Sequence, residues 1–209
     1  MFITFEGLDS SGKSTQVQLL ADRLSRTDHN VLVLREPGGT EIGEKIRKLL
    51  LDKQTLGMTD ACELFLFSAS RAQLVAEVVK PALDGRMVVV CDRYMDSTTA
   101  YQGWGRAIPV DVIQAINRCA TSGVPPDLTL FIDVPVAELQ RRMMRASKDR
   151  MESSGNEFFE RVRAGYLALA KSEPRFKVMD GMMNVDDLHE SVWQEVEHAF
   201  EKTGSQQTK

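Results

Sequence analysis

Two glycines, a lysine and a serine near the start of the chain have the spacing of a phosphate-binding loop. The segment Gly7-Leu8-Asp9-Ser10-Ser11-Gly12-Lys13-Ser14 has the form G-x-x-x-x-G-K-[ST], and Thr15 follows it. In such a loop the backbone N–H groups converge on phosphate oxygens, the lysine reaches the β- and γ-phosphates, and the next hydroxyl ligates Mg²⁺. The spacing therefore predicts that residues 7–15 bind a nucleoside triphosphate and that Lys13 takes part in its chemistry.

An acidic residue and an arginine directly follow the apolar run Met87–Cys91. A carboxylate at the end of a buried strand, with a phosphate-binding loop upstream, is typical of a group that holds Mg²⁺ directly or through water. We therefore expect Ser14 and Asp92 to be the metal ligands. Arg93 comes next in the chain, and we expect it to act on phosphate.

Arginine, rather than histidine, is the residue type available for chemistry at the predicted strand ends and beyond them. The arginines are Arg35, Arg47, Arg71, Arg93, Arg142, Arg145 and Arg150. His29 falls in a turn, and His189 and His198 fall on the last predicted helix, so we expect all three at the surface.

Arginines without a catalytic histidine suit a reaction in which the group that accepts the phosphoryl group is itself a phosphate. Such an acceptor needs no general base, because a phosphomonoester with a second pKa of about 6 is already largely dianionic. Guanidinium groups counter the repulsion between two polyanions and align them. The pattern favours transfer of a phosphoryl group onto a second phosphate, although most single helical arginines are solvated surface residues.

Five apolar, β-prone runs must position these groups. They are Phe2–Glu6, Val31–Leu34, Met87–Asp92, Leu128–Ile132 and Phe176–Met179. Helical patterns separate them, and this alternation predicts an α/β fold with a five-stranded parallel sheet and helices on both faces. Because ligands bind beyond the carboxyl ends of parallel strands, residues 7–14, 35–40 and 92–93 should meet in one crevice.

Apolar spacing and capping residues set the expected helix boundaries. A long helix from Thr59 to Lys80 should be ended by Pro81, since proline lacks the N–H that continues a helix. Pro109 and Pro135 should each start a helix, and Asn184 should cap the last one.

The basic run over residues 141–150 is followed by Ser153-Ser154-Gly155 and has no apolar anchor. It predicts a short lid at about residues 141–157. We expect one domain over residues 1–202 and a polar tail over residues 203–209, since no internal repeat or linker divides the chain.

Length and composition bound the class of protein. The chain has 209 residues, of which 43% are hydrophobic and 27% charged, and its net charge is −4 at pH 7. These values are ordinary for one soluble domain, and the acidic balance argues against a nucleic-acid partner. Three separated cysteines predict reduced thiols, with Cys91 in the core. The lack of a signal sequence and of an apolar run of about 18 residues predicts a cytoplasmic protein with no membrane partner.

Four sequence motifs occur in order along nearly the whole chain. They are Phe5-Glu6-Gly7-Leu8-Asp9 with the loop that follows, Arg35-Glu36-Pro37-Gly38-Gly39-Thr40, Leu66-Phe67-Ser68-Ala69-Ser70-Arg71, and Asp92-Arg93-Tyr94 through Ser97-Thr98-Thr99-Ala100-Tyr101-Gln102-Gly103. Together they resemble the thymidylate kinase family, bacterial type. The resemblance implies the P-loop nucleoside monophosphate kinase fold and the reaction ATP + dTMP → ADP + dTDP with Mg²⁺, in dTTP biosynthesis. It also implies a cytosolic homodimer.

The resemblance implies roles around the base and sugar of dTMP. Phe67 would stack on thymine, and Arg71 would bond its O4 edge. Thr98 and Gln102 would lie near the base, and Tyr101 would lie against the deoxyribose. Core packing is the alternative for Phe67, because its neighbours on the same helix are apolar.

For the dTMP phosphate, the resemblance implies Arg47 and Arg93 as its ligands, with Glu36 and Ser97 nearby. Asp9 would approach the 3′-hydroxyl of the sugar. The bacterial type often has Glu at this position, so the shorter side chain here leaves its reach to the sugar or to Mg²⁺ open.

For the donor nucleotide, Arg142 would flank adenine, and Arg145 or Arg150 would act as the lid arginine. Members that carry an arginine in the P-loop lack a basic lid. Here Ser10 occupies that loop position and the lid is basic. We therefore expect the lid to stabilise the transferred phosphoryl group.

Two other functions are compatible with a phosphate-binding loop. A nucleotide switch of the GTPase kind would need an N-K-x-D motif, and no asparagine of this chain is followed by lysine. A kinase for another nucleotide or small phosphate ester remains open, and so does the strictness of dTMP over dUMP.

Overall fold

A parallel sheet of five strands forms the centre of the structure, a computed structural model that describes residues 1–55, 57–143 and 155–206. The strands are β1 (Phe2–Glu6), β2 (Val31–Arg35), β3 (Val88–Asp92), β4 (Leu128–Asp133) and β5 (Phe176–Asp180). Their order across the sheet is β2-β3-β1-β4-β5. Each of the five predicted runs forms a strand, so the predicted fold class is confirmed.

β1 is the central strand, and all five of its residues are buried. Alternating residues of β1 and β3 enter two separate apolar clusters. Ile3 and Val90 belong to one cluster, and Phe2 and Cys91 belong to the other. Since neighbouring residues of a strand point to opposite faces, helices must cover both faces of the sheet. Cys91 is therefore a core residue, as predicted.

Helices connect the strands. Their bounds are α1 (Lys13–Leu24), α2 (Glu41–Leu51), α3 (Asp60–Leu74), α4 (Lys80–Asp84), α5 (Met95–Thr98), α6 (Val110–Thr121), α7 (Val136–Met143), α8 (Asn156–Ser172) and α9 (Val185–Gln206). Two π-helical segments continue α3 and α5, over Val75–Val79 and Thr99–Gly105. No helix within the described ranges is long and apolar enough to cross a membrane.

The prediction that Pro81 ends the third helix is wrong, because the chain stays helical to Asp84. The reason is the wider π turn before it, in which the N–H of Lys80 bonds the carbonyl of Val75. Pro81 then falls in the first turn of α4. A first-turn residue has no intrahelical N–H bond to lose.

The other helix-end predictions fare better. Asn184 caps α9 through a bond from the Asp187 N–H to its side-chain oxygen, and α6 begins directly after Pro109. α9 extends to Gln206, four residues into the segment predicted as a polar tail. Of the histidines, His29 and His198 are exposed, whereas His189 is partly buried.

Candidate active site

A cavity of about 470 Å³ opens at the carboxyl edge of the sheet. Its lining residues are Asp9, Ser10, Gly12, Lys13, Ser14, Thr15, Arg35, Glu36, Pro37, Arg47, Leu51, Phe67, Asp92, Arg93, Ser97, Thr98, Tyr101 and Gln102. The three segments expected to share one crevice therefore do share it. The volume is that of a small-molecule site.

The loop between β1 and α1 curls tightly because several of its residues have left-handed backbone conformations. Gly7 has φ 144°, Ser10 has φ 64° and Gly12 has φ 100°. A Cβ at Gly7 would lie 2.7 Å from the carbonyl oxygen of Ile132, so glycine is needed where the loop leaves β1 beside β4. Gly12 caps α1 without a side-chain hydrogen bond. The first N–H groups of α1 therefore suit an anion.

Lys13 is buried in this loop, where its Nζ donates to the carbonyl oxygen of Leu8 at 2.8 Å. Burial and the nearby Arg93 cation lower the pKa of Lys13 to about 8, against the opposing effect of Asp92 and Asp9. Phosphate oxygens beside the amine would favour its charged form again. Lys13 is therefore positioned to bind the phosphate of a ligand.

Ser14 and Asp92 lie side by side, as the sequence predicted. The Ser14 hydroxyl donates to Oδ2 of Asp92 at 2.7 Å. The described residues contain no group of three or more His, Cys, Asp and Glu that could hold a metal. Mg²⁺ is usually held by one or two carboxylates together with phosphate and water oxygens. The hydroxyl and carboxylate here fit that type of site.

Arg93 occupies the centre of the cavity wall, with φ 70° at the end of β3. Its Nη2 donates to Oδ1 of Asp9 at 2.7 Å and to the hydroxyl of Tyr101 at 3.2 Å, and its Nη1 donates to Oγ of Ser97 at 3.2 Å. Burial would raise the pKa of Asp9, but the Arg93 and Lys13 cations together lower it. The guanidinium is therefore held in one orientation by partners on three elements.

The other part of the cavity presents the ring of Phe67 and the uncharged polar side chains of Thr98 and Gln102. Phe67 is half-buried on α3, between Glu63 and Arg71 one turn away on either side. Glu63 accepts from Nε2 of Gln102 at 2.9 Å, and Arg71 donates to Oγ1 of Thr98 at 2.8 Å. These two bonds place Thr98 and Gln102 beside Phe67. The arrangement suits a flat ring with hydrogen-bonding edges.

Comparisons with known proteins agree with this geometry. The profile of the thymidylate kinase family matches residues 5–192. A thymidylate kinase of Kosmotoga olearia is 48% identical over 206 residues, which covers 98% of this chain and 99% of that protein. This chain belongs to the thymidylate kinase family.

Further relatives in the thymidylate kinase family agree. The thymidylate kinase of Thermosipho melanesiensis is 49% identical over 186 residues, covering 89% of this chain and 92% of that protein. The crystal structure of thymidylate kinase from Ehrlichia chaffeensis superposes with a TM-score of 0.78 at 38% identity. That match covers 94% of this chain and 98% of the other.

In this thymidylate kinase family member, Glu6 is a residue of the site that sequence reasoning missed. It ends β1 and is fully buried. Oε1 accepts from the N–H of Tyr94 at 2.8 Å and of Ser97 at 3.3 Å. Oε2 accepts from the hydroxyls of Ser97 at 2.6 Å and Tyr166 at 2.8 Å. Glu6 thus fixes the turn that follows Arg93.

Burial and the Asp96 carboxylate raise the pKa of Glu6 to about 7, although Ser97, Arg93 and Tyr166 act in the opposite direction. Because Ser97 also accepts from Arg93, the carboxylate orients the guanidinium through one hydroxyl. An acidic residue at the end of a largely apolar strand was the available signal, because such a residue, if buried, needs hydrogen-bond partners from other segments.

Arg71, predicted to bond the O4 edge of thymine, is bound to other residues of the protein. It is only 1% exposed and does not line the cavity. Its guanidinium nitrogens bond the Glu36 carboxylate, the hydroxyl of Thr98 and the carbonyl of Tyr94. Oε1 of Glu36 is buried without a hydrogen-bond partner in the described part of the chain. In this arrangement Arg71 holds Thr98 and Glu36, and these two residues line the cavity.

The remaining predicted site residues fall into three groups. Arg47 lines the cavity, where it donates to the carbonyl of Pro37 at 2.8 Å. Gly7, Leu8 and Ser11 shape the phosphate-binding loop without lining the cavity. Arg142 also lies outside the lining, and it donates to the carbonyls of Ser10 at 3.4 Å and Gly181 at 3.1 Å.

Most of the predicted lid, with both candidate lid arginines, Arg145 and Arg150, lies outside the described residues. Leu51 lines the cavity without having been predicted there, whereas Arg35 and Pro37 belong to the segment expected at the crevice but were assigned no role in it. Arg35 pairs with Glu44 at 3.1 Å and is about half exposed. The position of Arg35 at a strand end was the sequence signal that places it at the cavity.

Proposed function

We propose that this protein transfers the terminal phosphoryl group of ATP to dTMP, producing ADP and dTDP for dTTP biosynthesis. The observation that carries the proposal is the joining of two unlike regions in one cavity. One region has the phosphate-binding loop, Ser14, Asp92 and Arg93, and the other has Phe67 with uncharged hydrogen-bonding neighbours. A nucleoside monophosphate is charged at one end and flat at the other, and it matches both.

The acceptor nucleotide would bind with its phosphate at Arg93 and Arg47 and its base at Phe67. The opposite orientation would place a dianion beside the ring of Phe67, where Arg71 and Arg106 are already paired with the buried carboxylates of Glu36 and Glu63, which is unfavourable. Tyr101 lies between the two regions, since its hydroxyl accepts from Arg93 and its ring lines the cavity. The sugar of dTMP would lie against this ring, with the 3′-hydroxyl toward Asp9.

Repulsion between the donor and acceptor phosphates is the main obstacle to the reaction. Two like charges about 4 Å apart repel by about 4 kcal/mol at an effective dielectric constant of 20. Lys13, the N–H groups of α1 and Arg93 supply fixed positive charge against this repulsion and need little rearrangement as charge develops. The acceptor phosphate is already ionised, and no side chain has to remove a proton from it.

Ser14 and Asp92 would hold Mg²⁺ with the donor phosphates. When bound, the ion supplies neutralisation of the charge on the phosphate oxygens. The Ser14–Asp92 hydrogen bond keeps the two oxygen ligands adjacent. Arg142 would lie beside the adenine, close to the loop carbonyl it already contacts, and Arg145 or Arg150 would cover the transferred group.

We also propose a cytoplasmic homodimer. α3 packs between α2 and α6, and these helices leave apolar side chains exposed. Those side chains are Ile42, Leu49, Phe65, Val110 and Val112. A second copy of this face would cover them. Sedimentation equilibrium should give twice the chain mass of 23.4 kDa, and a value of one chain mass at micromolar concentration would contradict the dimer.

An assay that couples ADP release to NADH oxidation tests the proposed reaction. Purified protein with ATP and Mg²⁺ should release ADP fastest with dTMP in a panel that also contains dUMP, dCMP, UMP and dGMP. Chromatography should identify dTDP as the product. Rapid turnover of another monophosphate with none of dTMP would refute the assignment, and ADP release without any acceptor would indicate a hydrolase.

A further inference from the structure

The side-chain amide of Gln102 has two unlike environments. Its Nε2 donates to Oε1 of Glu63 at 2.9 Å. Among the described residues its Oε1 has no hydrogen-bond donor, and the side chain lines the cavity. The NH₂ end is therefore bound to protein, and the carbonyl end is left for whatever occupies the cavity.

Glu63 determines this orientation. It is 1% exposed on α3, and Arg106 donates to both of its oxygens, from Nε and from Nη2, at 3.2 Å each. An ionised carboxylate accepts hydrogen bonds and donates none. If the amide of Gln102 were flipped, two oxygens would face each other in a buried position, which is costly. The Glu63 carboxylate thus decides that the nitrogen, and not the oxygen, of the Gln102 amide faces it.

We propose that Glu63 is a positioning residue that selects the acceptor base by fixing the Gln102 carbonyl toward the cavity. The proposal rests on the proposed function, because it needs the base of the acceptor beside Phe67. A fixed carbonyl oxygen accepts from the imide N3–H of thymine or uracil. Cytosine has a lone pair at N3, so the same oxygen would meet an acceptor with no hydrogen between them.

The geometry supports the base position independently of any relative. Glu63 and Phe67 are one turn apart on α3, and Gln102 reaches Glu63 from the π-helical segment opposite. An edge group of a ring stacked on Phe67 therefore falls within reach of Gln102. The π-helical turn brings Tyr101 and Gln102 both to the cavity, and such turns are frequent at functional sites.

Glu63→Gln tests the proposal with little change of shape. The new amide can offer either an oxygen or an NH₂ group to Gln102, which is then free to flip. We expect the ratio of kcat/KM for dTMP to that for dCMP to fall by about tenfold or more. The dTMP-to-dUMP ratio should stay unchanged, because both bases carry the same imide.

Asp60→Asn is the matched control. Asp60 lies on the same helix, pairs with the same Arg106 at 3.4 Å and is exposed. Its loss removes one negative charge near Arg106 without touching Gln102. The dTMP-to-dCMP ratio of this variant should equal that of the unaltered protein. If the dTMP-to-dCMP ratio falls as far as in Glu63→Gln, the change arises from the altered charge around Arg106, and the proposal is overturned.

Gln102→Ala and the double variant separate positioning from general support of the fold. Gln102→Ala should itself lower the dTMP-to-dCMP ratio, and adding Glu63→Gln to it should lower the ratio no further. An unchanged ratio in Gln102→Ala, or an equal further drop in the double variant, overturns the proposal. Gln102→Ala decides the matter even if Glu63→Gln fails to fold. If the unaltered protein does not phosphorylate dTMP, the proposed function fails instead.

Discussion

Replacing Glu6 by Gln should change how the stability of the protein depends on pH. In the folded protein the pKa of Glu6 is raised to about 7, chiefly by burial, from an ordinary value of 4.5. The folded state therefore holds a proton more tightly than the unfolded chain. The stabilisation from this proton is fully present below pH 4.5 and is lost as the pH rises through 7.

The size of the effect follows from the difference between the two pKa values. Each unit of difference between the folded and unfolded pKa corresponds to about 1.4 kcal/mol. Ionisation of Glu6 should therefore cost the folded state about 3 kcal/mol between pH 4.5 and pH 8. Gln cannot ionise, so the stability of Glu6→Gln should not fall with rising pH in this way. The variant also accepts fewer hydrogen bonds from Ser97 and Tyr166.

Urea unfolding at pH 5, 6, 7 and 8 measures the prediction. The free energy of unfolding of the unaltered protein, minus that of Glu6→Gln, should decrease by about 2.5 kcal/mol from pH 5 to pH 8. Glu157→Gln, which removes an exposed carboxylate from α8, controls for the loss of one negative charge. A difference that stays constant across this range would refute the reasoning, since the Glu6 carboxylate would then have the same pKa in both states.

Four further predictions test the site. Lys13→Ala should keep its fold but lose about 3–4 kcal/mol of transition-state stabilisation, which lowers kcat. Turnover within about tenfold of the unaltered enzyme would contradict the role of Lys13. Arg145→Ala or Arg150→Ala should reduce kcat by about 10³-fold with little change in dTMP affinity, depending on which arginine acts in the lid. A normal kcat in both variants would refute the proposed role of the lid. Phe67→Ala should weaken all pyrimidine monophosphates alike, by about 1–3 kcal/mol in titration calorimetry, whereas selective loss of one base would contradict stacking. Tyr101→Ala should raise kcat/KM for UMP relative to dUMP, and an unchanged ratio would show that its ring does not exclude the ribose 2′-hydroxyl.

Local signals account for the part of the structure that the sequence predicted. Each strand contains a short apolar run, although β2 is only partly covered, and the loop after β1 depends on glycines and a lysine within eight residues of one another. The Ser14–Asp92 pair also followed, although the two residues are 78 positions apart, because parallel strands must end at one edge.

The roles that depend on distant partners did not follow from the sequence. Glu6 is satisfied by residues 88 to 160 positions away, and no periodicity encodes those contacts. The burial of Arg71 has the same origin, because Glu36 and Thr98 come from other segments. The π turn that accommodates Pro81 depends on the packing of the helix that contains it, and a rule about proline alone gives the wrong helix end.

The two parts of the cavity are carried by different elements of the fold. The phosphate-binding loop continues a strand that has partners on both sides, so amide exchange in β1 requires opening of the sheet. The base region is built from side chains of α3, α5 and the π-helical segment, and none of these elements takes part in the strand pairings of β1. Natural variation at Phe67 or Gln102 can therefore alter which base is accepted without changing the sheet that carries the donor loop. Changes to the donor loop, by contrast, are constrained by the folding of the whole sheet.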